Sequence, residues 1–350
     1  MHSALVICQA EAALAEKPDY SDAQTHRVDV CHEHEARGFL CGRTYSVIVT
    51  VGASWDRSCM NGMPYWLRRY WVHREAMPTA AEIDDLSQAN HLRQLRDTDN
   101  SLPLVSIFTA THNAARFIDE TYETVRAQTW SNWEWVVVDD GSTDGTVFKL
   151  HNYRDPRVRV FPMNPVNRIG FLKRAACAFA RGDYLVELDH DDWLTEDAVT
   201  SLLGTFRAHP EAVMAYSDFS EYYPETGTCN RYKSPDWHYR TEVWRGRAID
   251  VASAPDVNGT CSAGRVIEHM PVCPNHVRAF TRRGYDLAGG YRDLVWADDY
   301  DLMVRLYKVG RIVHVPKLLY VQRMHERNTW TRYAARLYES FPVLKEHYKP

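Results

Sequence analysis

The feature that most constrains the fold is an alternation of short apolar, β-branched runs with helical stretches, which begins near residue 102. Such runs are typical of strands buried on both faces, and the stretches between them have the length of crossover helices. The alternation predicts a mostly parallel α/β sheet flanked by helices, an architecture that suits nucleotide binding. Strands are predicted at Val105–Ala110, Trp135–Val138, Val158–Phe161, Tyr184–Leu188 and Ala212–Tyr216, and helices near 115–128, 145–152, 168–180 and 195–208.

The first hundred residues lack this alternation, so residues 1–100 are predicted to form an N-terminal extension of unknown role. They contain one predicted strand, Tyr45–Val51, and one polar helical run, Thr79–Leu95. The catalytic domain is expected over residues 101–330, and a helical tail over residues 331–350.

The composition indicates which partners and which cellular location to expect. The 350 residues include 41 Lys+Arg and 46 Asp+Glu, for a net charge of −5, which argues against nucleic acid as the default partner. The N-terminus lacks a cationic leader, and the longest largely apolar stretch, residues 44–55, is too short for a transmembrane segment. The 8 cysteines are widely scattered, which suits reduced thiols. We expect a cytoplasmic protein, at most peripheral to a membrane.

Polar clusters follow three of the predicted strands, at the edge where sheets of this class bind ligands. They are Thr111-His112-Asn113 after the first strand, Asp139-Asp140 after the second, and Asp189-His-Asp191 after the fourth. Because alternate residues of an extended chain point the same way, Asp189 and Asp191 should converge. Two convergent carboxylates suit Mg²⁺ or Mn²⁺. The neighbouring Ser142, Asp144 and Asp192 are interpreted more simply as helix caps.

Three segments together carry a resemblance to a known family. They are Val105-Ser-Ile-Phe-Thr-Ala-Thr-His-Asn113, Glu134-Trp-Val-Val-Val-Asp-Asp-Gly-Ser-Thr-Asp-Gly-Thr146 and Gly182-Asp-Tyr-Leu-Val-Glu-Leu-Asp-His-Asp-Asp-Trp-Leu194. In this order they resemble the family 2 glycosyltransferases, which have the GT-A fold and a DxD motif. The resemblance covers roughly residues 102–330. It implies a metal-dependent inverting transferase that moves a sugar from a nucleotide-diphosphate sugar, with a UDP-sugar favoured, to an acceptor hydroxyl.

The resemblance also implies residue roles. Nucleotide-sugar binding would fall to Thr111, His112, Asp139, Asp140, Lys173 and Asp189, and the Mn²⁺ or Mg²⁺ ion to Asp189, Asp191 and His325. In Trp296-Ala-Asp-Asp-Tyr-Asp-Leu302, Asp299 matches the family's catalytic base. Each of two residues also has a simpler interpretation without a role in the site: Lys173 would lie on a solvated cationic helix face, and Asp299 would be an acidic residue at a helix start.

Several alternatives stay open. The segment Thr228–Arg247 interleaves cations with aromatic rings, which would suit a sugar, a phosphorylated acceptor or nucleic-acid bases, or simply packs on the core. Two Cys/His groups offer zinc-type ligands at irregular spacing, namely Cys31, His32, His34 and Cys41, and Cys261, His269, Cys273 and His276. The acceptor could be a glycan, a lipid-linked or another hydroxyl compound. A transferase acting on modified nucleic acid, a nucleotidyltransferase and a non-catalytic nucleotide-sugar-binding module are the rival functions.

Overall fold

The computed structural model describes residues 3–8, 19–21, 27–32, 47–51, 71–74, 76–87, 103–233, 237–253 and 275–328, with seven positions between 332 and 348. Within these parts of the chain, no helix is both long and apolar enough to cross a membrane.

A small parallel sheet is built from the N-terminal residues. Its strands are β1 (Ser3–Cys8), β2 (Arg27–His32), β3 (Val47–Val51) and β4 (Trp71–Arg74), in the order β2-β1-β3-β4. The predicted strand ending at Val51 is therefore confirmed, and three further strands were not predicted. Residues 80–87 are helical, which confirms the start of the predicted helical run. The role of residues 1–100 stays a prediction.

The larger sheet has 11 strands among the described residues. They are β5 (Val105–Thr111), β6 (Trp133–Asp139), β7 (Val158–Pro162), β8 (Tyr184–Glu187), β9 (Trp193–Leu194), β10 (Ala212–Tyr223), β11 (Thr228–Cys229), β12 (His238–Trp244), β13 (Arg247–Ser253), β14 (Arg278–Thr281) and β15 (Arg311–Arg323). The helices beside it are α1 (Ile118–Arg126), α2 (Thr146–Asn152), α3 (Ile169–Phe179), α4 (Ala198–Ala208), α5 (Arg282–Leu287) and α6 (Asp298–Val309). All five predicted strands and all four predicted helices of this region are present.

Strand direction determines which chain segments meet at one edge. Strands β7, β6, β5 and β8 are mutually parallel, β14 is antiparallel to β8, and β10 is antiparallel to β14 and parallel to β15. The carboxyl ends of β5, β6, β8, β10 and β15 therefore share an edge with the start of β14. Every residue of β6 is buried, as expected for a strand covered on both faces. The mostly parallel α/β fold is confirmed.

Candidate active site

The carboxylates after β6 organise backbone loops at the shared edge. Asp139 accepts hydrogen bonds from the N–H of Ser142 at 2.8 Å and from its hydroxyl at 2.5 Å. Asp140 accepts from the N–H groups of Val166 and Asn167 at 2.6 and 2.9 Å, and is buried. Both side chains thus shape the loops around the place predicted for the nucleoside. Asp140 is held by backbone groups, a role that the sequence did not indicate.

Two predicted residues after β5 lie at the same edge. His112 is exposed, and its Nδ1 lies 2.9 Å from the carbonyl oxygen of Asp140, which directs the ring along the loop after β6. The hydroxyl of Thr111 is buried without a hydrogen-bond partner among the described residues. Such a buried hydroxyl needs a partner, and a ligand group is one way to supply it.

The DxD segment differs from the extended backbone that we predicted, because the chain turns at residues 190–191. Asp191 lies 2.9 Å from Nε2 of His325, which brings together two of the three predicted metal ligands. Burial alone would raise the pKa of Asp191, but the imidazoles of His190 and His325 outweigh it and the pKa is lowered. The third predicted ligand, Asp189, is half-buried, and desolvation raises its pKa in spite of the nearby ammonium of Lys173.

Asp192 does not cap a helix, and that interpretation was wrong. Its carboxyl points inward to β15, where it accepts from the hydroxyl of Tyr320 at 2.7 Å and from the N–H of Arg323 at 2.8 Å. The same Tyr320 hydroxyl accepts from the N–H of Asp189 at 3.2 Å. The short strand β9 follows at once and pairs with β15, so the turn buries Asp192 in place of starting a helix.

His276 is a site residue that the sequence did not predict in this role. Its ring stacks on Tyr320, with centroids 4.4 Å apart, and its Nε2 lies 3.9 Å from Asp189. Its Nδ1 is buried and has no hydrogen-bond partner in the described part of the chain. Burial, helped by Arg278, holds the pKa of His276 well below its usual range, so the ring is neutral and carries a free lone pair.

These residues fit a divalent cation. One ligand atom from each of Asp189, Asp192 and His276 lies within 4.8 Å of the other two. Carboxylates at this spacing repel one another unless a proton or a cation neutralises them, and imidazole and carboxylate are normal ligands of Mn²⁺. Most members of the two Cys/His groups lie outside the described residues, so zinc binding there stays an open alternative.

Lys173 lies in a buried ionic network and not on a solvated helix face. Its ammonium contacts Glu187 at 2.7 Å and Asp298 at 3.2 Å. Burial lowers the pKa of Lys173, but the carboxylates of Asp298 and Glu187 more than reverse this, so the lysine is charged. Burial raises the pKa of Asp298 to about 6 even with the lysine beside it. The ammonium thus has two carboxylate partners, and its predicted contact with a diphosphate stays a prediction.

Asp299, the predicted base, lies at the start of α6 and is 34% exposed. Its Oδ2 accepts from Nη1 of Arg278 at 2.9 Å, and its Oδ1 accepts from the N–H of Tyr300 at 2.8 Å. Nε and Nη2 of the same guanidinium donate to the two oxygens of Glu187 at 2.7 and 3.0 Å. Asp299 is therefore linked through Arg278 to the strand that ends in the DxD segment.

The aromatic and basic segment Thr228–Arg247 contains β11, β12 and the turn into β13. Several of its described cations and rings contact other side chains of the protein. Arg231 pairs with Asp250, Arg240 pairs with Asp218 and Glu242, Tyr232 and Trp237 pack on Phe219, and Trp244 packs on Trp193. For these residues the structure favours the simpler interpretation, in which the rings pack on the core and the cations pair with carboxylates of the same chain.

Comparison with known proteins places these features in a family context. A family model described as Glycosyl transferase family 2 matches residues 106–266. The chain is 30% identical over 234 residues to the hyaluronan synthase of Pasteurella multocida, which covers 66% of this chain and 21% of that protein. It is 30% identical over 232 residues to the chondroitin synthase of Pasteurella multocida (strain Pm70), with 65% and 21% covered. The chain thus matches about a fifth of the length of these relatives.

Two solved structures share the fold. S. aureus TarS 1-349 in complex with UDP-GlcNAc has a TM-score of 0.51 at 18% identity, over 69% of this chain and 65% of that chain. The mannosyltransferase PcManGT from Pyrobaculum calidifontis, in complex with GDP-Man and Mn²⁺, has a TM-score of 0.50 at 17% identity, over 72% and 66%.

Proposed function

Because this chain belongs to glycosyl transferase family 2 and has the GT-A fold, we propose that it is an inverting glycosyltransferase that moves a sugar from a nucleotide-diphosphate sugar to an acceptor hydroxyl. The observation that carries the proposal is the convergence of Asp140, Asp189, Asp191 and Asp299 on one edge of the sheet. A UDP-sugar is the favoured donor, as in the TarS complex with UDP-GlcNAc, and GDP-sugars are the second class to test, as in the mannosyltransferase complex.

The nucleoside would lie over the ends of β5 and β6. His112 offers an exposed ring for stacking, Thr111 offers a buried hydroxyl without a protein partner, and Asp139 keeps the turn after β6 in shape. Asp140 is engaged by two backbone N–H groups, so we propose that it acts chiefly by holding the loop at Val166 and Asn167 against the nucleoside.

A divalent cation, Mn²⁺ or Mg²⁺, would be held by Asp189 with Asp191 and His325, and the neighbouring Asp192 and His276 offer further ligand atoms within 4.8 Å of Asp189. Bound there, the ion would neutralise the charge of the departing diphosphate. Lys173 lies behind Asp189, where its positive charge offsets the carboxylates of Glu187 and Asp298 and favours the charged form of Asp189.

Asp299 would accept the proton of the acceptor hydroxyl as that oxygen attacks the anomeric carbon. Direct displacement inverts the anomeric centre and leaves no covalent intermediate, so Asp299 acts only as a base. The carboxylate is partly exposed, as a base that meets an incoming acceptor must be. General base catalysis typically contributes about 10²–10⁴-fold to the rate.

The acceptor is proposed to be a glycan, because the matched relatives are named hyaluronan synthase and chondroitin synthase. A nucleic-acid acceptor is less favoured, because Arg231 and Arg240, two of the five cations of the segment, pair with carboxylates of this chain.

The experiment is nucleotide release from a panel of UDP- and GDP-sugars with Mn²⁺, with and without glycan acceptors. We expect release from one donor, its loss with EDTA and in Asp191→Ala, and a fall of about 10²–10⁴-fold in Asp299→Asn with nucleotide binding intact. Asp286→Ala, an exposed carboxylate at the opposite end of the sheet, is the control and should behave as wild type. Product NMR should show inversion.

If no donor releases nucleotide and no nucleotide binds in a Mn²⁺-dependent way, the proposal is contradicted. Tight Mn²⁺-dependent binding of UDP without turnover of any donor would favour the non-catalytic binding module. Release that is equal in wild type and Asp191→Ala would remove the metal from the proposal.

A further inference from the structure

One arginine connects the two halves of the candidate site. Arg278 begins β14, is 3% exposed, and uses all three of its guanidinium nitrogens on two carboxylates. Two nitrogens face Glu187, the last residue of β8, and the third donates to Asp299 at the start of α6. Glu187 stands two residues before Asp189. The arginine therefore spans the distance between the DxD strand and the base.

The anchor of this bridge is rigid. Glu187 is fully buried and also accepts from Lys173 at 2.7 Å and from the hydroxyl of Tyr291 at 2.9 Å. Burial alone would raise the pKa of Glu187, but Arg278 and Lys173 hold it well below its usual range, so the carboxylate is charged. A fork of two parallel hydrogen bonds fixes the plane of the guanidinium as well as its place.

The free end of the bridge leaves Asp299 able to react. The carboxylate accepts one bond on each oxygen, from Arg278 and from the N–H of Tyr300. Each carboxylate oxygen can accept two hydrogen bonds, so a lone pair remains for an acceptor hydroxyl. The donor atom of Arg278 lies on the buried side, whereas Asp299 reaches the surface.

We propose that Arg278 is a positioning residue that holds the carboxylate of Asp299 in line with the donor edge. The inference rests on the proposed function, in which Asp299 is the base. Because proton transfer requires hydrogen-bond distance in the transition state, a displaced carboxylate lowers kcat without affecting donor binding. Lysine cannot replace arginine here, since one ammonium cannot form the fork with Glu187 and still reach Asp299 in a fixed direction.

The test is the kinetics of Arg278→Lys, alone and combined with Asp299→Asn. We expect Arg278→Lys to lower kcat by about 10²-fold, with an unchanged KM for the donor and unchanged calorimetric binding of UDP with Mn²⁺. Because Arg278 acts through Asp299, adding Arg278→Lys to Asp299→Asn should lower kcat little further. A purely structural role would instead multiply the two losses.

Arg159→Lys is the matched control. Arg159 also pairs with a buried glutamate, Glu134, at 2.9 Å, but at the opposite end of the sheet, so kcat should stay at the wild-type value. If Arg278→Lys does not fold, Arg278→Gln takes its place, because Glu187 keeps its contacts with Lys173 and Tyr291 while the shorter neutral amide cannot hold Asp299. It should bind UDP and show the same loss of kcat.

Wild-type kcat in Arg278→Lys or Arg278→Gln would overturn the inference. So would a combined Arg278→Lys and Asp299→Asn variant in which the two losses of kcat multiply in full. A wild-type chain that neither binds UDP nor releases nucleotide from any donor would instead overturn the proposed function, and the inference with it. The two failures are distinct, because the first requires an active wild-type enzyme.

Discussion

Removal of one hydroxyl group, that of Tyr320, should loosen the metal-binding edge while leaving the core packed. The hydroxyl donates to the buried carboxyl of Asp192 at 2.7 Å and accepts from the N–H of Asp189 at 3.2 Å. Tyr320→Phe keeps the ring and its stacking on His276. The substitution therefore deletes two hydrogen bonds and no apolar contact.

The magnitude follows from the burial of both partners. Tyr320 and Asp192 are 0% and 1% exposed, so water does not replace the missing hydroxyl. Burial and the neighbouring Asp191 and Asp189 raise the pKa of Asp192 well above its usual range, so the bond is counted at the strength of an ordinary hydrogen bond and not of a charge-assisted one. A lost ordinary bond and a buried N–H left without a partner together cost about 2–3 kcal/mol.

The assay is urea unfolding at neutral pH without metal, followed by calorimetric titration with Mn²⁺. We expect Tyr320→Phe to lower the free energy of unfolding by about 2–3 kcal/mol at an unchanged m-value, and to weaken Mn²⁺ binding about tenfold. Tyr153→Phe is the control, because its hydroxyl bonds to Asp119, whose side chain is 54% exposed and open to water. That control should lose less than about 1 kcal/mol.

Equal losses in the two tyrosine variants would refute the reasoning, since burial would then not determine the cost. So would a destabilised Tyr320→Phe that binds Mn²⁺ as wild type does, because Asp189 and Asp192 would then not depend on the shared hydroxyl.

Three further outcomes are expected. The pKa of Asp298 is raised to about 6, so the folded chain keeps this proton to a higher pH than the unfolded chain does. Wild type should therefore lose about 2 kcal/mol of unfolding free energy relative to Asp298→Asn as the pH rises from about 4 to 6. A difference in urea midpoints that stays constant across this range would contradict the expectation. Gly170→Ala places a Cβ 2.2 Å from a backbone carbonyl oxygen, so thermal unfolding should show a loss of about 1–3 kcal/mol of stability. Gly204→Ala lies on a helix and its Cβ meets nothing within 4 Å, so it should gain about 0.5–1 kcal/mol. In Asp140→Asn the amide NH₂ faces one of the two backbone N–H groups that the carboxylate binds, so one hydrogen bond is lost and UDP binding should weaken in calorimetry. Wild-type affinity would show that UDP binding does not depend on this contact.

The sequence was sufficient to predict the strands and the edge on which the site lies. Parallel strands place their carboxyl ends together, so Asp140 after β6 and Asp189 after β8 could be predicted to meet without knowledge of distant contacts. The buried runs around them are short and strongly apolar, which made the strand predictions reliable.

The missed residues depend on strand direction and on side-chain orientation. His276 and Arg278 come at the start of β14, and only its antiparallel pairing with β8 brings a strand start to this edge. Asp192 turns inward because a two-residue strand follows it, a contact set by β15 more than a hundred residues later. In the first hundred residues, β2 alternates Val28 and Val30 with polar residues over a span too short to distinguish a strand from a loop.

The long sequence separation across the site has a consequence for biosynthesis. Glu187 meets Arg278 91 positions later, Asp192 meets Tyr320 128 positions later, and Asp191 meets His325 134 positions later. Contacts of this range form late, and β10 lacks its partner β15 until the end of the domain has left the ribosome. A chain that stops before residue 311 would thus lack Tyr320 and His325 from the candidate site and would leave an open strand edge prone to aggregation. The proposed turnover would therefore require that β15 has been synthesised and has paired with β10.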